Sequence, residues 1–188
     1  FSVKRDIVCP MRDGIHLAVD LLLPDGEGPF PVILERTPYD KSNSCNPGTE
    51  DYARRGYAVV LQDVRGRFNS DGEFNPFCQE HNDGFDTVEW LEQQPWCNGN
   101  VGMIGMSYGG QTQWYAASQA PKALKAIVPV ESPPGNVFTN EPIYGGAMIL
   151  CTLEWASLLG RRSFQLNAFD DIYKSHRKGV ELKGSPAQ

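Results

Sequence analysis

Ser107 stands between two glycines in Gly105-Met106-Ser107-Tyr108-Gly109. A short apolar run, Val101 to Met106, precedes it, and a helical pattern, Gln111 to Ala120, follows and is stopped by Pro121. Strand, tight turn and helix around G-x-S-x-G make a nucleophile elbow, the device that lifts a serine hydroxyl to an exposed tip. The glycines are needed because strand and helix pass too closely for side chains. A serine so placed can attack an acyl carbon once a neighbouring imidazole takes its proton. Other groups compete less well for a chemical role. Cys9, Cys45, Cys78, Cys97 and Cys151 are odd in number and form no C-x-x-C pair, so neither a zinc site nor a disulfide framework is expected. Asp63 and Arg65 read as a loop-holding pair, and Asp170-Asp171 as a helix cap or a site for an ammonium group. Trp155, Phe164 and Phe169 read as core aromatics or as an acyl pocket, and Glu131 as a loop carboxylate or a triad acid.

The elements that must carry Ser107 follow from periodicity. Lys4–Cys9 and Ile15–Leu22 are expected as antiparallel strands joined by Met11-Arg12-Asp13-Gly14. Pro31–Arg36 and Tyr57–Gln62 are two more strands, the second apolar enough to be buried on both faces. Thr49–Arg55 is a short helix closed by Gly56. Asp83–Gln94 is a longer one, with Phe85, Val88, Trp90 and Leu91 on its apolar face and Pro95 at its end. Val101–Met106 and Leu124–Val130 complete the set on either side of the elbow helix. Strands alternating with helices imply an α/β fold with a mostly parallel, doubly wound sheet. After Val130 the rhythm breaks at Glu131-Ser132-Pro133-Pro134-Gly135. Pro142–His176 reads as helical and without a strand, so residues 1–135 are expected as one domain and 136–188 as a helical cap, incomplete here.

Composition limits the function classes. The 188 residues are 40% hydrophobic and 21% charged, as in an ordinary globular domain. A net charge of -6 opposes nucleic acid or an anionic membrane surface as the main partner. The most apolar stretch, Ile143–Gly160, contains Glu154 and falls short of a membrane span. With no secretory pattern at the N-terminus and unpaired cysteines, a cytoplasmic location is expected, although the chain begins at Phe1 rather than Met.

Four blocks then resemble the CocE/NonD hydrolases, the group of cocaine esterase-like enzymes, glutaryl acylases, α-amino-acid ester hydrolases and Xaa-Pro dipeptidyl-peptidases. They are Met11–Gly14, Arg36-Thr37-Pro38-Tyr39-Asp40-Lys41, Gly56–Gly66, and Asp83 through Gly110. The resemblance covers about residues 1–135 well and implies an α/β-hydrolase fold with Ser107 as the nucleophile of a Ser-His-Asp triad. Two oxyanion donors are implied: the backbone N–H of Tyr108, and the hydroxyl of Tyr39, which matches the position of the family's donor tyrosine. A purely structural Tyr39 is the alternative, and the Tyr108 side chain is expected to pack at the pocket floor.

The same resemblance places the triad acid and base well after the serine, on loops beyond later strands. No triad Asp or His is identified in this chain. His16 falls on a strand, His81 before the helix expected at Asp83, and His176 in a polar helix end. The expectation is therefore a serine hydrolase that cleaves an ester or amide through an acyl-enzyme on Ser107. It needs no metal or organic cofactor, and its oligomeric state is open. Xaa-Pro dipeptide release is the alternative within the family. A catalytically incomplete hydrolase domain with a binding or structural role is the alternative outside it. The 188 residues alone are expected to be nearly inactive.

Overall fold

The computed structural model describes residues 1–132, 134, 143–144, 147–148, 155–156 and 159. The chain divides into two compact units, Phe1–Asn136 and Val137–Gln188.

The first unit is a six-stranded sheet in the order β1-β2-β4-β3-β5-β6. Its strands are β1 (Ser2–Pro10), β2 (His16–Leu23), β3 (Phe30–Thr37), β4 (Ala58–Asp63), β5 (Cys97–Met106) and β6 (Leu124–Val130). β1 and β2 form an antiparallel pair, and β2 joins β4 antiparallel. From β4 onward every pairing, β4 with β3, β3 with β5 and β5 with β6, is parallel. Four helices lie between the strands: α1 (Lys41–Ser44), α2 (Pro47–Arg54), α3 (Glu80–Glu92) and α4 (Tyr108–Ser118).

β4 shows why the sheet is covered on both faces. All six of its residues are buried. Side chains alternate across a strand, so neighbours must enter different layers. Ala58 and Val60 join the larger core, with Leu34, Val101, Met103, Val88, Leu91 and Ala116. Val59 and Leu61 meet Leu22 and Ala53 of α2 on the other side. Each such aliphatic side chain contributes about 1.5–3 kcal/mol when fully buried. The contact between α3 and α4 is close enough to demand glycine, since a Cβ on Gly84 would come within 2.7 Å of the Ala116 Cβ. α2 is fixed at its start by a capping box: Asn46 Oδ1 accepts from the amides of Gly48 and Thr49, and Thr49 Oγ1 accepts from the Asn46 amide.

The doubly wound, mostly parallel architecture agrees with the reading from sequence, with differences at element ends. α3 begins at Glu80, three residues before the expected Asp83, so His81 lies inside the helix. Its N-cap, Gln79, makes no side-chain capping bond, so the start signal on which sequence reading depends is missing. In the second unit, a stretch expected to be strand-free holds an antiparallel pair, β7 (Ile143–Tyr144) with β8 (Ala147–Met148). The sequence between them is Gly145-Gly146, a dipeptide that favours two-residue hairpins. Residues 155, 156 and 159 are helical, and the rest of the expected cap lies outside the described residues.

Candidate active site

The elbow is built from both flanks. β5 ends at Met106, Ser107 turns the chain at φ 55° and ψ -119°, and α4 starts at Tyr108. For a residue with a side chain, that backbone is strained by about 1–3 kcal/mol. It persists because the surroundings hold it. The Ser107 N–H donates to the Val130 carbonyl at 2.9 Å, tying the tip to the end of β6. The Ser107 carbonyl accepts from Gly110 N and Gln111 N at 2.9 and 3.0 Å, which launches the helix. A serine at a helix N-cap usually uses its hydroxyl to cap the helix. Ser107 makes no such bond and is exposed, so its Oγ is not consumed by the helix it begins.

Of the two flanking glycines, Gly105 is sterically required as expected and Gly109 is not, since a Cβ there would make only ordinary contact, 3.5 Å from the Arg36 carbonyl oxygen. Gly105 sits at φ 145°, and a Cβ there would lie 2.7 Å from the Gly109 carbonyl oxygen. Gly110, one residue past the pentapeptide, is equally constrained, because its Cβ would run into the Ser132 side chain.

Tyr108 places its amide at the first position of α4, at the positive end of the helix dipole. Its side chain goes the other way, into the interior. The ring stacks on Phe77 with centroids 4.4 Å apart. The hydroxyl donates to Glu80 Oε1 at 2.8 Å and accepts from the Phe77 amide at 3.0 Å. Burial pushes the phenol far above its ordinary range, and the Glu80 charge adds to this, so it stays neutral. Glu80 is itself paired with the wholly buried Arg36 at 2.8 Å, and Arg36 Nε donates to Gln62 Oε1 at 2.6 Å. Breaking a buried pair of this kind by removing one partner costs about 3–5 kcal/mol. A chain of buried polar bonds thus fixes the residue that follows Ser107.

Tyr39 comes to the same place from the end of β3. Its ring meets the Tyr108 ring edge-on, with centroids 6.5 Å apart. Its amide donates to Thr37 Oγ1 at 3.1 Å, and its carbonyl accepts from Asn43 Nδ2 at 3.0 Å. Arg67, buried in the next loop, donates through Nε to the Pro38 carbonyl at 3.0 Å. Tyr39 and Phe77, far apart in sequence, therefore both pack on the ring of Tyr108, the residue that follows Ser107.

The pairing of Asp63 with Arg65 is corrected. Arg65 binds Asp83 in two bonds, of 2.6 and 2.9 Å, and Asp13 in two more, of 2.6 and 3.2 Å. It thereby ties the β1–β2 turn to α3, and these carboxylates hold its guanidinium above its ordinary range. Asp63 instead accepts from the Lys41 amide at 2.8 Å and the Asn69 amide at 3.3 Å. Burial pushes its carboxyl up to about 6. Lys41, to which the sequence reading gave no role of its own, is almost fully buried. A signal was present: Asp20 interrupts the apolar run Leu17-Ala18-Val19-Asp20-Leu21-Leu22-Leu23, and a buried carboxylate requires a cation.

His16 starts β2, is about half exposed and lies 3.9 Å from Asp71. His81 packs its ring against Tyr115, with centroids 4.4 Å apart. Glu131 follows β6 directly, at φ 46°, and is exposed. His176, Asp170, Asp171, Phe164, Phe169 and Cys151 lie outside the described residues, while Trp155 is half-buried. Cys9, Cys45, Cys78 and Cys97 are unpaired thiols, and burial pushes Cys9 up to about 12. Among the described residues no three His, Cys, Asp or Glu side chains cluster as metal ligands, and no helix is long and apolar enough to cross a membrane.

Comparison with known proteins gives concordant matches. The sequence model described as X-Pro dipeptidyl-peptidase (S15 family) matches residues 13–177. Cocaine esterase from Rhodococcus sp. (strain MB1 Bresler) is 46% identical over 168 residues, covering 85% of this chain and 29% of the esterase. A CocE/NonD family hydrolase from Staphylococcus aureus superposes with a TM-score of 0.80 at 27% identity, over 87% of this chain and 33% of that one. An α-amino acid ester hydrolase superposes with a TM-score of 0.71 at 30% identity, over 82% of this chain and 29% of that one. The chain thus spans about a third or less of the length of each of these relatives.

Proposed function

The chain belongs to the X-Pro dipeptidyl-peptidase (S15) family, and from that premise we propose that it carries the nucleophile and the oxyanion donors of a serine hydrolase acting on esters or acylated amines. The α/β-hydrolase architecture and relatives named as an esterase and as hydrolases support this reading. One observation carries the reading: Ser107 is exposed at a strained elbow and leaves its helix uncapped, a cost that a merely structural serine would not require.

In this reading Ser107 Oγ attacks the acyl carbon as a base removes its proton. The carbonyl oxygen gains negative charge and is met by the Tyr108 N–H and the Tyr39 hydroxyl. Such donors act on charge that develops in the transition state and lower the barrier more than they strengthen substrate binding. Collapse expels the alcohol or amine and leaves an acyl-enzyme, which water then cleaves by the reverse sequence. His16 starts β2 and His81 packs on Tyr115, so neither is taken as the base.

Treating the full-length protein with a fluorophosphonate probe tests the assignment. The wild type should be labelled on Ser107, and Ser107→Ala should lose both the label and nearly all esterase turnover. Persistent labelling of the variant at another serine would refute it. A second reading, dipeptide release from Xaa-Pro peptides, is supported by the family match over residues 13–177. Hydrolysis of an Xaa-Pro anilide faster than of simple acyl esters would favour it, with the same nucleophile.

A further inference from the structure

Behind Tyr39 lies a cluster of charges that the proposed chemistry does not touch. Lys41, two residues on, turns inward rather than to solvent, and its side chain is 2% exposed. The ammonium lies 2.8 Å from Asp6 Oδ1, 3.4 Å from Asp20 Oδ1 and 3.5 Å from Asp63 Oδ2. Its own amide donates to Asp63 Oδ1 at 2.8 Å. The three carboxylates come from three strands, β1, β2 and β4, so the lysine pins the loop after β3 to much of the sheet. Asn69 closes the cluster, donating to Asp6 Oδ1 at 2.8 Å and, through its amide, to Asp63 Oδ2 at 3.3 Å. Arg5 adds a half-exposed contact to Asp20 at 3.0 Å.

The backbone on both sides of this anchor is held in conformations that side chains resist. Asp40, between Tyr39 and Lys41, has φ 79° and ψ 109°. Asp6 has φ 52° and sits where the β1–β2 register shifts. Strain of this sort persists only where the neighbours over-determine it, and it collects near functional sites. For Asp40 the neighbours are clear. Its carboxylate accepts from the Ser42 amide at 2.9 Å, Thr37 holds the Tyr39 amide in front, and Lys41 is clamped behind. Burial alone would pull the Lys41 ammonium towards its neutral form, but Asp6, Asp63 and Asp20 outweigh it and hold the lysine above its ordinary range.

We propose that Lys41 is a positioning residue for Tyr39: its buried salt links to Asp6, Asp20 and Asp63 fix the strained Asp40 turn and so aim the tyrosine hydroxyl at the oxyanion. The inference rests on the oxyanion reading of Tyr39. Lysine suits the task because a long stem carrying a point charge can reach three carboxylates from one loop position. Preorganised donors must be held to within a fraction of an ångström, so loosening the anchor should cost rate before it costs binding.

The test is a double-mutant cycle in the full-length protein, read as kcat and KM for an activated acetate ester. Lys41→Met should lower kcat by about 10–100-fold with KM changed less than about threefold, and in the Tyr39→Phe background it should lower kcat by less than about twofold. Residues acting through one group lose their effect once that group is gone, whereas a generally loosened fold would lower both backgrounds equally. An equal loss in both backgrounds, or no loss from Lys41→Met, overturns the inference. Full kcat in Tyr39→Phe alone would instead remove the oxyanion reading on which it stands. If Lys41→Met does not fold, Asp6→Asn serves in its place, because Asp6 is 56% exposed and asparagine tolerates the same backbone. It should show a smaller loss, about 3–10-fold in kcat, that likewise vanishes in Tyr39→Phe; an unchanged or additive result overturns the inference.

Discussion

Gly105→Ala should separate the elbow's geometry from its chemistry. Gly105 lies at φ 145°, where an L side chain is strained, and its new methyl would lie 2.7 Å from the Gly109 carbonyl oxygen and 2.9 Å from the carbonyl carbon. Backbone strain there costs about 1–3 kcal/mol and overpacking a similar amount, so roughly 2–6 kcal/mol must be absorbed. Backbone atoms, not a pliable side chain, stand in the way. Relief to the 3.4 Å of ordinary contact moves strand and helix apart by about 0.7 Å at positions two residues from Ser107. A misplacement near 1 Å costs about 100-fold in rate. The assay is the rate of fluorophosphonate labelling, together with Tm, for the full-length protein. Labelling should slow by about 10–100-fold and Tm should fall by several degrees. Gly102→Ala on the same strand is the control, because no atom lies closer than 3.9 Å to its Cβ; it should change stability by no more than about 1 kcal/mol and leave labelling intact. If Gly105→Ala labels at the wild-type rate with unchanged Tm, the claim that this turn must be glycine is wrong.

Tyr39→Phe keeps the ring that meets Tyr108 edge-on, so Tm should barely move, while kcat should fall about 10²–10³-fold, or about 2.7–4 kcal/mol, with little change in KM. Full kcat would end the oxyanion role, and a large fall in Tm would restore a structural one. Asp63 gives a pH signature. Its carboxyl is pushed up from 3.8 to about 6 when folded, so its contribution to stability is fully present below about pH 4 and is lost as pH rises through 6. Asp63→Asn lacks that loss, so the Tm of the variant relative to wild type should climb between about pH 4 and 6 and level off above 7. Parallel curves across that range would refute the shift.

What could be read from the sequence divides along a physical line. Strands and their order of burial were legible where local composition decides them: Ala58–Leu61 is apolar throughout because both faces of β4 are covered. Ser107 was legible because an elbow writes its steric needs into nearby residues, here Gly105 and Gly110. Charge pairing was not. Arg65 follows Asp63 by two positions, yet it reaches 18 residues forward to Asp83 and 52 back to Asp13. Proximity along the chain favours the wrong partner, because a strand end and the turn after it point in different directions. Lys41 was hidden for a related reason. A lysine among Asp40, Ser42 and Asn43 looks solvated, and only the carboxylates of β1, β2 and β4, brought together by the fold, make its burial tolerable. The same fold brings Tyr39 and Tyr108 together from the ends of two adjacent parallel strands that lie 60 or more residues apart along the chain. The proposed nucleophile is thus written locally, whereas the approach of Tyr39 depends on the sheet's strand order, with β3 placed beside β5. A substitution far from Ser107 in sequence, at Asp6 or Asp20, should therefore matter more to this site than many changes within ten residues of it.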